Sequence, residues 1–582
     1  MSREPPAGHF QLVDRLRIAL AQLNPKVGAL AANLELAKGA LRDAEAAGAD
    51  ILLLSELFLT GYFPEDLFFK PRFVSDAMAA AGELVHATAG GKVSLLLPTV
   101  WRDGAALYNA VLLAENGKVA ARRYKHELPN DDVFYERRYF TAGPLPEPIT
   151  IKGVPIGVPI CEDVWHRAVP EHLAEQGAEI LLCPNGSPYW KNKQHTRLDL
   201  VRARVVEDRI PLLYLNQVGG QDELVFDGAS FGVEPGGRIV FQGQSFESDF
   251  IVTDWERTRL GWRCSKGAVT PLASVSEAPW QAMLRGLRDY VRKNGFSKIV
   301  LGMLGGIDSA LVAAIAADAL GPDNVHAVML PYRYTSEDSL RDAKDCAARL
   351  GIRYDIVPIG KPVDEALAEL QPVFGNVPPD LTEENIQSRM RGLVLMAISN
   401  KTGAMLLTTG NKSEMAVGYA TIYGDMNGGF NPIKDLFKME VYKLARWRNA
   451  HVPQGSLCPH GDVIPTSIID KAPTAELRPN QTDQDSLPPY AVLDEVLTGL
   501  IEEELSVAEI VDKGQGRFDR ALVKRVERLV LLAEYKRRQA APGVKLTKKA
   551  FGIGRKYPIT NGYRDDSDVV VRERPFAAQG VE

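Results

Sequence analysis

A thiol, a carboxylate and an amine recur along this chain in one kind of local setting. Glu56 ends the apolar run ILLLSE, Lys125 ends VAARRYK, and Cys161 ends VPIGVPIC. Each reads as the tip of a β-strand, and strand C-termini are where open α/β sheets usually present chemistry. Hydrolysing an amide through a thioester needs three groups: a thiolate to attack, a base to take its proton and later activate water, and a cation to steady the oxyanion. Cysteine, glutamate and lysine fill those roles in that order. Each alone also fits a plainer reading, the cysteine as a small buried hydrophobe and the charged residues as solvated strand ends. Cys183, in LLCPNG at the end of another strand, has no acidic partner after it and is taken as structural.

A second pattern lies in KIVLGMLGGIDSALVAAIAADAL, which reads strand, glycine turn, helix. Gly302, Gly305 and Gly306 let the backbone approach an anion closely. Asp308 and Ser309 stand at a helix start, where free N–H groups favour phosphate. The lysine of a Walker loop is missing, so this is not the P-loop motif.

The elements that position these residues follow from hydrophobic spacing. RIALAQLN (17–24) reads as a strand, residues 30–48 as an amphipathic helix, and ILLLSE as a buried strand. Further strands outnumber the helices up to Trp262, which predicts an α/β sandwich. Residues 263–277 carry no strong period and read as a linker. From Ala278 a helix begins, and the strands FSKIVLGM, NVHAVMLP, RYDIVPI and AMLLTT each follow a helical stretch. That alternation predicts a doubly wound parallel sheet. The predicted organisation is therefore a disordered tail at 1–14, one domain at 15–262, a linker at 263–277 and a second domain at 278–582. The Pro-rich segment 472–490 reads as a surface loop or lid.

Composition narrows the function classes. With 582 residues, 45% hydrophobic and 24% charged, the chain calls for at least two globular cores. A net charge of -6 argues against nucleic-acid or membrane binding through a basic surface. No apolar stretch reaches membrane-spanning length, and MSREPPAGHF has no signal-like apolar region. Five scattered cysteines without a CxxC pair suggest neither a disulfide framework nor a zinc site, so the expected compartment is a reducing cytoplasm.

The wording around the first three residues carries a resemblance. SELFLTGY, RYKHELPN and ICEDVW, in that order, resemble the signature segments of the nitrilase (carbon–nitrogen hydrolase) superfamily over about residues 16–255. The resemblance implies Glu56 as general base, Lys125 as transition-state cation, Cys161 as nucleophile, and Glu136 as a second acid near Lys125. NGSPYWKNK resembles the glutamine-holding segment of the glutaminase branch, which implies Ser187 and Lys193 as substrate contacts. Asp131 stands where that branch commonly has a tyrosine.

GGIDS resembles the SGGxDS loop of ATP pyrophosphatases, which cut ATP between its α and β phosphates to adenylate a carboxylate. Leu304 replaces the loop's first serine. NIQSRMRG (385–392), the long segment 406–442 and KAPTAELRPNQTDQDSLPPY (471–490) together resemble the glutamine-dependent NAD synthetase family over about residues 278–565. That implies ATP contacts at Gly302, Gly305, Gly306, Asp308, Ser309, Thr409 and Lys438. It implies deamido-NAD contacts at Asn385, Glu414 and Lys536, and Mg2+ at Asp308 and Glu414. It also implies a homo-oligomer acting on L-glutamine, ATP and deamido-NAD, with ammonia channelled between sites. Two alternatives stay open: an amidase fused to a nucleotide-binding domain impaired by Leu304, and a glutaminase-coupled pyrophosphatase acting on another carboxylate.

Overall fold

The computed structural model describes residues 14–479 and 481–565. The expected tail at 1–14 therefore lies, except for Asp14, outside the described residues. The chain divides into two compact units, the first built mainly from residues up to Ala273 and the second from Ser274 onward. A short excursion, Gly220–Val225, belongs to the second unit.

The first unit is an α/β sandwich. Its strands are β1 (Arg15–Gln22), β2 (Ile51–Leu54), β3 (Ser94–Asp103), β4 (Ala106–Glu115), β5 (Lys118–Tyr124), β6 (Ile149–Ile151), β7 (Val154–Gly157), β8 (Ile180–Asn185) and β9 (Leu212–Asn216). A separate two-stranded ribbon, β10 (Val218–Gln221) and β11 (Leu224–Asp227), carries the excursion, and β12 (Phe231–Glu234), β13 (Arg238–Gln242), β14 (Asp249–Thr258) and β15 (Gly261–Lys266) complete the unit. One sheet runs β15-β14-β1-β2-β3-β4-β5, the other β13-β12-β9-β8-β7-β6.

Side chains alternate across each sheet with period two. Ile18 and Leu20 of β1, with Leu53, Leu96 and Val111, join Ile156, Leu182 and Leu213 of the other sheet in one dry core. Ala19, Ala21, Leu52 and Leu54 face the opposite way and bury α1 (Leu30–Ala46) and α2 (Pro71–His86). Leu181, Cys183 and Tyr214 do the same for α3 (Ala168–Glu175) and α4 (Lys193–Asp208). The stretch expected as a linker begins as structure: Cys264 pairs with Trp255 and Lys266 with Asp254, so β15 takes its first four residues.

The second unit carries a four-stranded parallel sheet in the order β18-β17-β16-β19. Its strands are β16 (Ile299–Gly302), β17 (Val325–Met329), β18 (Arg353–Ile356) and β19 (Met405–Leu407). Crossovers are made by α6 (Ile307–Leu320), α7 (Glu337–Leu350), α8 (Gly360–Phe374) and α9 (Leu381–Thr402), with α5 (Glu277–Lys293) preceding the sheet. The strand order reverses beside β16, between β16 and β19. In open α/β sheets that crevice, at the strands' carboxyl ends, is where ligands bind. After β19 come α10 (Lys412–Val417) and α11 (Lys438–Ala450). No helix among the described residues is long and apolar enough to cross a membrane.

Helices α6 and α11 are pinned together by a charge pair closed to water. Asp318 Oδ2 accepts from Arg448 Nε at 2.8 Å and Trp280 Nε1 at 3.0 Å. Its Oδ1 accepts from Arg448 Nη2 at 2.9 Å and Ser456 Oγ at 2.6 Å. Both charged residues are fully buried. The helices' other ends carry Asp308 and Lys438, so this clamp sets the separation of two expected ATP-site residues. Removing one partner of such a pair strands a buried charge at a cost of about 3–5 kcal/mol. Asp318→Ala should accordingly speed amide hydrogen exchange in α6 and α11 by more than a hundredfold, and an unchanged rate would mean that apolar packing alone holds them.

Candidate active sites

In the first unit, the three expected residues sit just beyond strand ends, not on them. Glu56 lies in the turn two residues after β2, Lys125 follows the last residue of β5, and Cys161 opens a single 3-10 turn, Cys161–Val164, beyond β7. At Cys161 the backbone itself is incompatible with a strand. Cys161 has φ 46°, a left-handed conformation that a strand cannot hold and that non-glycine residues seldom adopt. Such strain persists where the surroundings over-determine it, commonly at functional sites.

What over-determines Cys161 is Asp163, a buried carboxylate two residues on. Its Oδ2 accepts the Ile160 N–H at 2.9 Å, and its Oδ1 accepts those of His126 at 3.1 Å and Glu127 at 2.7 Å. One side chain thus ties the cysteine turn to the segment after Lys125. Burial pushes the Asp163 carboxyl up to about 6 against those three donors.

Lys125 Nζ donates to Glu56 Oε1 and to Glu136 Oε1, both at 2.8 Å, and all three side chains are fully buried. Glu56 also accepts from Asn109 Nδ2 at 2.8 Å and, through Oε2, from the Gly186 N–H at 2.9 Å. Glu136 accepts from Tyr62 OH at 2.8 Å. Burial pushes the Glu136 carboxyl up to about 7, with Lys125 opposing. Burial also works against the Lys125 charge, but Glu136 and Glu56 override it and hold the ammonium well above the usual lysine range. The Cys161 thiol is pushed well up by burial and then by the Glu56 carboxylate. A thiol in that setting keeps its proton at rest and needs a base at the moment of attack. Cys183, by contrast, is sealed in β8 with its Sγ 3.5 Å from Asn185 Oδ1.

Ser187 and Lys193 come from the loop after β8 and the start of α4. The Ser187 hydroxyl accepts from Arg197 Nε at 3.2 Å, and its backbone oxygen accepts from Arg197 Nη2 at 2.8 Å. Arg197 in turn pairs with Asp227 at 2.8 Å, both buried. The buried Lys193 ammonium lies 5.8 to 6.0 Å from the ring centres of Phe134, Trp190 and Trp165. Asp131 is exposed and within electrostatic reach of Lys193. Tyr62, Asn109, Asp163, Arg197 and Asp227 escaped sequence reasoning. Only Asp163 left a signal, its place three residues after Ile160, where a carboxylate can bond back to the backbone.

In the second unit, Gly302 ends β16, Gly306 caps α6, and Asp308 and Ser309 lie in that helix's first turn. Gly305 has φ 78°, and a Cβ there would come within 2.6 Å of the Ser339 backbone, so only glycine fits. Gly305 therefore shapes the turn from behind, while Gly302, Gly306, Asp308 and Ser309 line a cavity of about 190 Å³ with Thr409, Glu414 and Lys438. A larger cavity of about 450 Å³ is lined by Asn385 and Lys536 and shares Gly302, Leu304 and Thr409 with the first. Glu414 lines the smaller cavity, while Asn385 and Lys536 line the larger. The segment expected as a surface loop or lid, 472–490, supplies Thr474, Glu476 and Asp483 to the smaller cavity and Gln481 and Ser486 to the larger, a wall for both.

Lys438 does not reach into the cavity alone. Its Nζ lies 2.5 Å from Asp308 Oδ2 and 2.9 Å from Glu414 Oε1. Burial opposes its charge, and the two carboxylates raise it regardless. Burial pushes the Glu414 carboxyl up to about 7 against Lys438. Asn411, unforeseen in the sequence, caps α10 by accepting the Glu414 N–H at 3.0 Å and donates to Asp308 Oδ1 at 3.0 Å. Lys536 Nζ donates to the carbonyls of Gly418 and Ala420, each at 2.7 Å, and Asn385 Oδ1 accepts from Thr421 at 3.1 Å.

Comparison with known proteins places both halves. A family model described as carbon-nitrogen hydrolase matches residues 17–261, and one described as NAD synthase matches residues 279–540. A glutamine-dependent NAD(+) synthetase of Rhodobacter capsulatus is 53% identical over 556 residues, covering 96% of this chain and 100% of the relative. Its counterpart from Thermotoga maritima is 43% identical, covering 95% and 100%. The solved glutamine-dependent NAD+ synthetase of Acinetobacter baumannii, in complex with ADP, superposes with a TM-score of 0.75 at 37% identity, covering 95% of this chain and 100% of that one.

The Cys161 environment makes a test independent of any substrate. Because burial and Glu56 raise the thiol, its alkylation by iodoacetamide, followed by peptide mass spectrometry, should keep accelerating with pH through pH 9. A plateau below pH 8 would mean that Lys125 has drawn the thiolate down instead.

Proposed function

Because this chain belongs to the family of glutamine-dependent NAD(+) synthetases, we propose that its first unit frees ammonia from glutamine and its second spends ATP to amidate deamido-NAD with it. The observation that carries the proposal is the buried Lys125 ammonium bridging Glu56 and Glu136, with the charges of Glu56 and Lys125 both acting on the Cys161 thiol.

In the proposed first reaction, glutamine enters with its α-substituents against Ser187 and Lys193. Glu56 accepts the Cys161 proton as sulfur attacks the carboxamide carbon, and Lys125 steadies the oxyanion. Ammonia leaves with the proton returned by Glu56, and a thioester remains. Water, deprotonated by Glu56, then releases glutamate. Glu136 holds Lys125 in place and takes no proton from substrate. Asp131 puts a carboxylate near the Lys193 pocket, where a tyrosine would have offered a neutral donor.

In the second, the nicotinate carboxylate of deamido-NAD attacks the α-phosphorus of ATP and pyrophosphate departs. Ammonia then displaces AMP from the adenylate. The backbone of the Gly302–Gly306 turn and Ser309 hold phosphate oxygens, with Thr409 beside them. Asn385 and Lys536 line the chamber assigned to the dinucleotide. Asp308 and Glu414 fit a magnesium site. They converge on one cation in the structure, Lys438 Nζ, and two carboxylates are what this ion takes when phosphates complete its shell. When bound, the ion would offset phosphate charge. Five free cysteines suit a reducing cytoplasm, and the family resemblance extends a homo-oligomeric state to this chain.

Two measurements test the proposal. Cys161→Ala should abolish NAD formation with glutamine, a loss of at least a thousandfold, while leaving the rate with ammonium chloride within about threefold. Loss of both activities together would overturn the division of labour. Leu304→Ser restores a hydroxyl to the phosphate turn and should raise the ammonia-dependent rate several-fold. A flat or lower rate would mean that the turn works through its backbone alone.

A further inference from the structure

Four cationic side chains line the two cavities of the second unit among the described residues: Arg391, Lys438, Lys471 and Lys536. Three are already engaged. Lys438 is held between Asp308 and Glu414, and Lys536 by two carbonyls. Lys471 donates to Ser339 Oγ at 2.5 Å and to Glu476 at 3.3 Å. Arg391 differs. Its Nε donates to the Leu330 carbonyl at 3.0 Å, which fixes the plane of the guanidinium, while its two terminal NH2 groups meet no acceptor among the described residues. The residue is only 8% exposed.

An unpaired guanidinium is costly to bury, so its position calls for a reason. Arg391 lines both cavities, and so stands on the wall they share with Leu304 and Thr409. The two carboxylates that act on its charge, Glu476 and Asp425, favour the charged form without hydrogen-bonding it. Glu476 accepts from Ser336 and Ser339, and Asp425 accepts the Thr421 N–H at 2.6 Å. Burial pulls the guanidinium down to about 10, still well above neutrality. A fixed, planar, desolvated cation with two free donor groups is built to receive a phosphate or carboxylate.

We propose that Arg391 is a catalytic residue of the adenylation step, its NH2 groups taking non-bridging oxygens of the ATP α-phosphate where that phosphate meets the deamido-NAD carboxylate. The proposal rests on the function proposed above. In the step itself, a carboxylate oxygen lone pair forms the new bond to the α-phosphorus. The bond from that phosphorus to the bridging oxygen breaks, and pyrophosphate carries off the electron pair. No proton moves. Two anions are brought together, and negative charge accumulates on the non-bridging oxygens in the transition state. The turn has no Walker lysine, and the Leu304 side chain can donate nothing. Arg391 supplies the cation at that boundary, and its stabilisation grows as the bond forms.

The test uses the full chain with deamido-NAD, ATP, magnesium and ammonium chloride, following pyrophosphate and AMP. Arg391→Lys and Arg391→Ala should each lower kcat and kcat/KM for ATP together, by about 100- to 1,000-fold for the alanine variant. Glutamine hydrolysis by the same preparations should remain within twofold of the parent. Added guanidinium ion should restore part of the Arg391→Ala rate in a saturable manner. If KM for ATP rises while kcat holds, or if both variants stay within threefold of the parent, the assignment is wrong. Should the alanine variant fail to fold, Arg391→Lys decides by the same two criteria. If the parent chain itself makes no AMP and pyrophosphate, the proposed function fails, whatever the Arg391 variants do.

Discussion

A single ammonium, Lys125 Nζ, bridges two carboxylates in a space closed to water, and the first unit's layout is organised around that fact. Each buried ion forgoes several kcal/mol of hydration, which only close, well-aligned partners offset. The backbone supplies that alignment. The Lys125 N–H donates to the Asn109 carbonyl at 2.8 Å, and its own carbonyl accepts from Gly143 at 2.8 Å. Asn109, on the neighbouring strand, then turns its side chain onto Glu56. Two adjacent strands thereby deliver amine and amide to the same carboxylate. The two glutamates are not equivalent: Glu56 gathers amine, amide and backbone donors, whereas burial leaves Glu136 pushed up to about 7.

The second unit repeats the motif of one lysine between two carboxylates, with a difference that bears on use. In the first unit all three side chains are 0% exposed, whereas Asp308 and Glu414 each retain 17% beside Lys438. The first arrangement is a fixed charge distribution that substrate meets ready-made. The second lies open to its cavity, so a phosphate oxygen there competes with the carboxylates for Lys438, and a hard cation competes with Lys438 for the carboxylates. Behind it, Lys412 bonds Asp435 at 2.6 Å and Thr547 at 2.8 Å, anchoring α10 from the side away from the cavity. Asp494 binds the Met439 N–H at 2.8 Å and so fixes the start of α11.

Much of this was legible in the sequence wherever a period or a local pattern encoded it. The alternation in RIALAQ sends Ile18 and Leu20 to one face and Ala19 and Ala21 to the other, and the parallel strands of the second unit fell where their apolar runs were read. Strand ends were placed one to four residues too far along at Glu56, Lys125 and Cys161, because an apolar run does not reveal where the backbone leaves the ladder. The linker was drawn too early because Arg263–Lys266 are polar edge residues whose pairing with β14 depends on a partner strand. Contacts between distant positions left no trace. Arg197 and Asp227 lie 30 residues apart, Asn411 and Asp308 103 apart, and nothing local requires either pair to meet. The two cavities depend on which strands and helices converge at their carboxyl ends, which no local pattern encodes.

The departure at Leu304 bears on what the glycine turn needs from its side chains. Leu304 is 37% exposed and lines both cavities, so it is neither packed into the core nor required by the fold. The turn's shape comes from Gly305, whose left-handed φ and contact with Ser339 admit no side chain, and from Gly306 at the helix start. An anion approaching there meets backbone N–H groups and the positive end of α6, neither of which the leucine removes. What the leucine does change is the solvation of the shared wall, replacing a hydroxyl with an apolar surface. The same wall carries Arg391, and electrostatic attraction strengthens where water is absent.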